Sequence, residues 1–307
     1  MRAGLLALLG LLCLPATACA DPAPSSAAPA QEQPGAAFKS VVVFGDSLVD
    51  AGNVFASTGG RYAAAREGYV AGRFSNGYTF ADRIAMGVER RVTSPSRSGG
   101  NNFAWGGARA LTDRDGIPDA LEQVEAYRAA SGGRADPSAL FLLTFGGNDL
   151  RRAAGSEEAV ARSYAEAVRR LFAMGAGTIL ATGAPIPSAA GAALQRRLDA
   201  AFDAIPLKPG QRLLRYDFVP LWRTILEDAP RLGFRPWTPE AAARAAMPGA
   251  RGTTGDDCRG DGAQAGGCAG YVLFDRVHPT AAVHALIARD MAARLGIPVA
   301  DPPSPKN

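Results

Sequence analysis

Two histidines, His278 and His284, are the only side chains in this 307-residue sequence whose ordinary pKa suits proton transfer near neutrality. A serine hydroxyl is a weak nucleophile until such a base takes its proton, and the base needs an acid to orient it. The stretch "VVVFGDSLVDAGN", Val41–Asn53, sets Ser47 in a small polar cluster directly after an apolar run. The stretch "FDRVHPT" sets Asp275 three residues before His278, a separation that lets a turn bring the carboxylate to the ring. His284 lies among Ala and Leu inside a helical pattern and reads as a packed helix residue. Ser47, His278 and Asp275 are therefore the candidate nucleophile, base and orienting acid. The plainer role for Ser47 is to cap a helix expected to begin there.

Acyl transfer also needs donors aimed at the developing oxyanion. The Ser47 N–H and the side-chain amide of Asn148, in "FGGNDL", are candidates. A further backbone N–H is expected from "NNFAWGGARA", where Gly106 and Gly107 let a ligand approach closely.

These groups must be positioned by elements that end where they begin. "FKSVVVF" (Phe38–Phe44), "ALFLLTF" (Ala139–Phe145) and "GTILATG" (Gly177–Gly183) are short apolar runs bounded by glycine, which predicts buried strands. "QRLLRYDF" (Gln211–Phe218) predicts a shorter or edge strand. Helical patterns alternate with them, over Pro118–Gly133, Ser156–Ala176, Ser188–Ile205 and Pro279–Gly296. The clearest has Ser156 as its cap and Glu157 and Glu158 in its first turn. The last places Pro279 at its first position and Gly296 at its end. Alternation of this kind predicts an α/β fold, a mostly parallel sheet with helices on both faces. Ligands of such sheets bind at the carboxyl ends of the strands, which is where Ser47 and Asn148 fall.

The blocks "FGDSLVDAGN", "GRFSNG", "NFAWGGA", "GGND" and "DRVHP" follow one another in an order that resembles the GDSL, or SGNH, hydrolases, over essentially the whole chain after Phe38. The resemblance implies a three-layer α/β/α fold with a five-stranded parallel sheet in flavodoxin-like order. It implies Ser47, Asp275 and His278 as catalytic residues, with Ser47, Gly107 and Asn148 supplying the oxyanion donors. Gly107 matches the family block better than Gly106. No metal and no organic cofactor are implied. The activity implied is hydrolysis of carboxylic esters, of small molecules or lipids, through an acyl-enzyme. An acyltransferase or a carbohydrate O-deacetylase would use the same residues, and a binding module without activity is opposed by the intact set. The Gly-x-Ser-x-Gly elbow of the α/β-hydrolases is absent, because Leu48 and Val49 follow Ser47. Phe74, Tyr78 and Trp105 are candidates for an acyl pocket whose depth the loops Ser57–Ala71 and Arg231–Gly255 would set.

The chain opens with Arg2, the apolar run Leu5–Leu14 and the small-residue stretch Ala16–Ala20. This reads as a leader for export over residues 1–20, too short for a membrane span, which needs about 20 apolar residues. Cleavage before Cys19, leaving it for lipid attachment, is the less favoured route. The Pro- and Ala-rich stretch 21–36 reads as a disordered spacer, and residues 37–307 as one domain. Beyond the leader only Cys258 and Cys268 remain. In an oxidising compartment they are expected to pair, and closing so short a loop is worth roughly 3 kcal/mol. The formal charge of +4 is spread without a basic stripe or interleaved aromatics, which argues against a nucleic-acid partner. The chain is expected to act as a monomer, with at most transient contact with a membrane surface.

Overall fold

In the computed structural model each apolar run becomes a strand of one parallel sheet: β1 (Ser40–Gly45), β2 (Ala139–Thr144), β3 (Thr178–Thr182) and β4 (Arg212–Tyr216). The structure describes residues 38–304 except 114, 154, 187, 237–256 and 260–266, so the expected leader and spacer lie outside the described residues. The described residues belong to one compact unit. Strand order is β1-β2-β3-β4, in the register Val41↔Leu140, Leu140↔Thr178 and Thr178↔Arg212. Every residue of β2 and β3 is buried, whereas β4 begins exposed, as its edge position dictates.

Helices cover both faces. Val41 and Val43 of β1, Leu140 and Leu142 of β2 and Leu180 of β3 pack against α2 (Phe80–Glu89), α7 (Val219–Asp228) and α8 (Ala281–Leu295). The alternate residues Phe44, Phe141, Leu143 and Ile179 pack against α3 (Ala120–Ala130), α5 (Glu157–Ala173) and α6 (Ala189–Asp203). Strand side chains alternate between faces, so an unbroken apolar run serves both cores at about 1.5–3 kcal/mol per large side chain. Two short helices, α1 (Asn53–Ser57) and α4 (Gly147–Arg152), follow β1 and β2. Ser156 caps α5, as its sequence position predicts, and Ser188 caps α6. At α8 the cap is Thr280, and Pro279 lies before the helix rather than in its first turn; Gly296 ends it in the left-handed region. Among the described residues no helix is long and apolar enough to cross a membrane.

Among the described residues the sheet has four strands, not five. The segment 101–105 does run beside β1, on the side away from β2. Val43 N–H donates to Asn101 O, Phe103 N–H to Val43 O and Trp105 N–H to Gly45 O. Side chains interrupt the ladder at both ends. The Val41 N–H donates to the Glu89 carboxylate at 2.6 Å, and the Gly45 N–H donates to Gln123 Oε1 at 2.9 Å. The Asn101 amide takes the place of a backbone donor to Val41 O, at 2.9 Å. Outside this segment, Asn53 Nδ2 donates to the carbonyls of Asn102 and Ala104, groups that a further strand would otherwise engage.

Gln123 is the clearest test of this substitution of side chain for strand, because it also donates to Gly45 O and Pro118 O. Gln123→Leu is expected to orphan the buried Gly45 N–H and lower unfolding stability by about 1–3 kcal/mol in a denaturant titration. A loss below about 0.5 kcal/mol would show that the segment re-pairs as a fifth strand.

Candidate active site

Gly45 ends β1 with φ +153, and a Cβ there would lie 2.6 Å from Thr144 Cγ2 and 2.7 Å from Val49 Cγ2, so only glycine fits. The chain then turns. The Asp46 carbonyl accepts the N–H groups of Val49 and Asp50, and Asp46 Oδ1 accepts that of Leu48 at 2.9 Å. No helix begins at Ser47; it sits in this turn, and the residue that caps the turn is Asp46. Helix α1 starts only at Asn53, because Asp50 Oδ1 captures the Gly52 and Asn53 N–H groups, both at 2.7 Å. Ser47 is thereby left half-buried at the carboxyl edge of the sheet with its hydroxyl free of any capping role.

The hydroxyl meets His278, 231 residues away in sequence, with Ser47 Oγ 2.8 Å from Nε2. On the far side of the ring, Nδ1 lies 2.8 Å from both oxygens of Asp275. An ionised carboxylate only accepts, so Nδ1 carries the proton and Nε2 presents its lone pair to the serine. Burial would raise the Asp275 carboxyl, but the facing imidazole and the hydrogen bonds from His278 and Tyr69 hold it far below the usual carboxylate range. The N–H groups of Val277 and His278 also donate to Asp275 Oδ1, at 3.0 and 2.9 Å.

Tyr69 is the residue that sequence reasoning missed. Its hydroxyl donates to Asp275 Oδ2 at 2.7 Å and accepts from Arg259 Nη1 at 2.8 Å. The phenol packs with Phe274 and the Cys258–Cys268 disulfide in a small separate core. Arg259, next to Cys258, also lies over the Tyr69 ring at 4.9 Å. Nothing in the loop that carries Tyr69 marks it as a partner of a carboxylate 206 positions on.

The "GRFSNG" block braces the histidine loop. Arg73 is buried and forms a two-point ion pair with Asp82, at 2.9 Å for each bond, and donates to Thr93 O. Phe74 lies against the His278 ring, centroids 5.1 Å apart. Ser75 Oγ donates to Pro279 O, and Asn76 Oδ1 accepts the Ala281 N–H at the start of α8. His284, in contrast, is buried beside Phe80, whose N–H donates to its Nδ1; burial, reinforced by Arg83, pushes its pKa down to about 3. It stays neutral and remote from the serine.

Two further carboxylates organise the loops that carry the expected oxyanion donors. Asp50 Oδ2 accepts the Gly106 N–H at 2.9 Å, so that group is spent. The N–H groups of Gly107 and Ser47 have no hydrogen-bond partner among the described residues. Gly107 holds φ +91, and Asn148 Nδ2 donates one hydrogen to Ala108 O at 2.9 Å, which leaves the other for the cleft. Asp149 anchors the same loop through the Ala110 and Leu111 N–H groups, at 2.9 and 3.0 Å.

Ser47, Gly107, Asn148 and His278 all line one cleft of about 220 Å³. Its apolar wall is Leu48, Phe74, Pro185, Ile186, Trp222 and Val277. Of the three aromatics expected there only Phe74 contributes, because Trp105 lies under Arg97 and Tyr78 beside Arg73. The loop Ser57–Ala71 supports Asp275 rather than the cleft wall, and most of Arg231–Gly255 lies outside the described residues. Asp46 also faces the cleft. Burial raises its carboxyl to about 6 against the pull of the Leu48 N–H and His278. Among the described residues no cluster of His, Cys, Asp or Glu could hold a metal ion.

With this geometry in view, a family model for GDSL-like lipase/acylhydrolases matches residues 41–291. The chain belongs to that family. "Lipase 1" of Photorhabdus luminescens is 34% identical over 131 residues, which cover 41% of this chain and 19% of that protein. The chain thus matches about a fifth of that relative's length. A solved crystal structure aligns with 85% of this chain and 100% of its own at 13% identity and a TM-score of 0.39, a likeness too loose to bear on fold or function.

Tyr69→Phe keeps the ring and removes one donor from Asp275. Losing that donor raises the Asp275 carboxyl, so the acidic limb of the kcat/KM profile should move to higher pH. A lowered rate with an unmoved limb would show that Tyr69 only fills space.

Proposed function

We propose that this protein is an exported serine hydrolase that cleaves carboxylic esters through an acyl-enzyme on Ser47. The contact that carries the reading is Ser47 Oγ to His278 Nε2 at 2.8 Å, with Asp275 on the opposite ring nitrogen. His278 takes the serine proton as Oγ attacks the ester carbonyl. The oxyanion that forms sits among the Ser47 N–H, the Gly107 N–H and the Asn148 amide, donors already in place before charge develops. His278 then protonates the departing alkoxide. In the second half it draws a proton from water, whose oxygen attacks the acyl carbon and releases the acid and free Ser47.

Membership in a family of lipases and acylhydrolases supports ester cleavage, and the name of the Photorhabdus relative supports a lipid ester. The Leu5–Leu14 run supports export, as does the Cys258–Cys268 disulfide, which suits an oxidising compartment. Mass measurement of the mature amino terminus checks this: a chain beginning just after Ala20 is expected, and a lipid-bearing Cys19 would replace simple secretion by anchoring.

Purified protein is expected to cleave chromogenic short-chain esters, and Ser47→Ala to reduce kcat by about 10⁴-fold or more with an unchanged circular dichroism spectrum. An organophosphonate should label Ser47. Wild-type protein inert across acyl lengths, or labelled elsewhere, would remove the assignment.

A further inference from the structure

Among the described residues, the cleft is lined by one cation that the acyl-transfer chemistry does not use. Arg151 stands on α4 three residues after Asn148, a spacing that puts both side chains on one face, and both line the cleft with Ser47 and His278. Among the described residues Arg151 makes no hydrogen bond and no ion pair. Its neighbour Arg152 differs, pairing with Asp115 at 2.8 Å outside the cleft.

The carboxylates whose fields reach Arg151 are already engaged. Asp46 accepts the Leu48 N–H, and Asp275 accepts from His278 and Tyr69. Burial lowers the guanidinium's pKa, with Asp46 and Asp275 opposing, so the group is partly stripped of water without a compensating contact. A cation held in that way is costly to the free protein, and the cost falls when an anion arrives. A guanidinium offers a planar fork of donors matched to carboxylate and phosphate. The same cleft is also lined by the apolar side chains of Leu48, Pro185, Ile186 and Trp222.

We propose that Arg151 is a specificity-determining residue that binds a negatively charged group, carboxylate or phosphate, on the ester substrate while the apolar wall takes its hydrocarbon part. The proposal rests on the ester-hydrolase reading above and deepens it by naming the class of ester preferred.

Two matched substrate pairs test it and locate the charge. Nitrophenyl hydrogen adipate against methyl nitrophenyl adipate places the anion on the acyl side. Butanoyl glycerol phosphate against butanoyl glycerol places it on the alcohol side. Wild-type protein is expected to favour the anionic member of at least one pair by roughly ten- to hundredfold in kcat/KM, the range of a hydrogen bond to a charged group. That preference should shrink as salt is added. Arg151→Gln should collapse the ratio, chiefly by raising KM for the anionic ester, and Arg151→Lys should keep part of it. A wild-type ratio near one in both pairs overturns the proposal without any variant. So does a loss in Arg151→Gln that falls equally on anionic and neutral esters, the result expected if Arg151 only balances Asp46. Cleavage of the neutral esters by wild-type protein reports separately on the hydrolase reading.

Discussion

Carboxylates withdrawn from water and satisfied by backbone N–H groups hold the geometry of the candidate active site in place. Asp50 gathers the N–H groups of Gly52, Asn53, Val54 and Gly106, and so ties the turn after β1 to the glycine loop. Asp149 ties that loop to the end of β2, and Asp275 ties its own turn to the imidazole. Each loop lacks the regular ladder that would satisfy its backbone, and a carboxylate that can accept several N–H groups replaces it. Because each carboxylate serves donors from separate segments, displacing one loop strands buried polar groups. Loops that would otherwise be the mobile part of an α/β fold are thereby held to the sheet.

The same burial sorts the ionisable groups by role. Two histidines with the same ordinary pKa end in opposite conditions: His284 is pushed down to about 3 by burial, while His278 faces a carboxylate held ionised. Asp46 and Asp275 both face the histidine, yet one is raised to about 6 and the other lowered. The Asp46 side chain accepts one backbone N–H, whereas Asp275 has a direct imidazole partner, a phenol and two backbone donors. Desolvation alone raises a carboxyl, and only donors and opposite charge reverse it.

Much of this was legible in the sequence. The apolar runs were strands because short stretches of mostly Val, Ile, Leu, Phe and Ala ending at glycine leave few other options for a sheet buried on both faces. The scarcity of histidine singled out His278, and the block order placed Ser47, Asn148 and Asp275 with it. Three readings changed for physical reasons. A fifth strand gives way to side chains from Glu89, Gln123 and Asn101 that take the ladder positions. Ser47 loses its capping role to Asp46, whose carboxylate is the better acceptor. Tyr78 and Trp105 do not line the cleft and instead lie against Arg73 and Arg97.

By itself, then, the sequence determined the alternation of strand and helix, the candidate nucleophile, base and acid, and the pairing of its last two cysteines. Those follow from local patterning, from residue counts and from short separations along the chain. Only the tertiary structure decided that Tyr69 supports Asp275, that Gly106 is spent on Asp50 while Gly107 is not, and that Arg151 lines the same cleft as Ser47. Each of these depends on which polar groups burial brings together, and partners as far as 206 residues apart leave no mark on one another's neighbourhood.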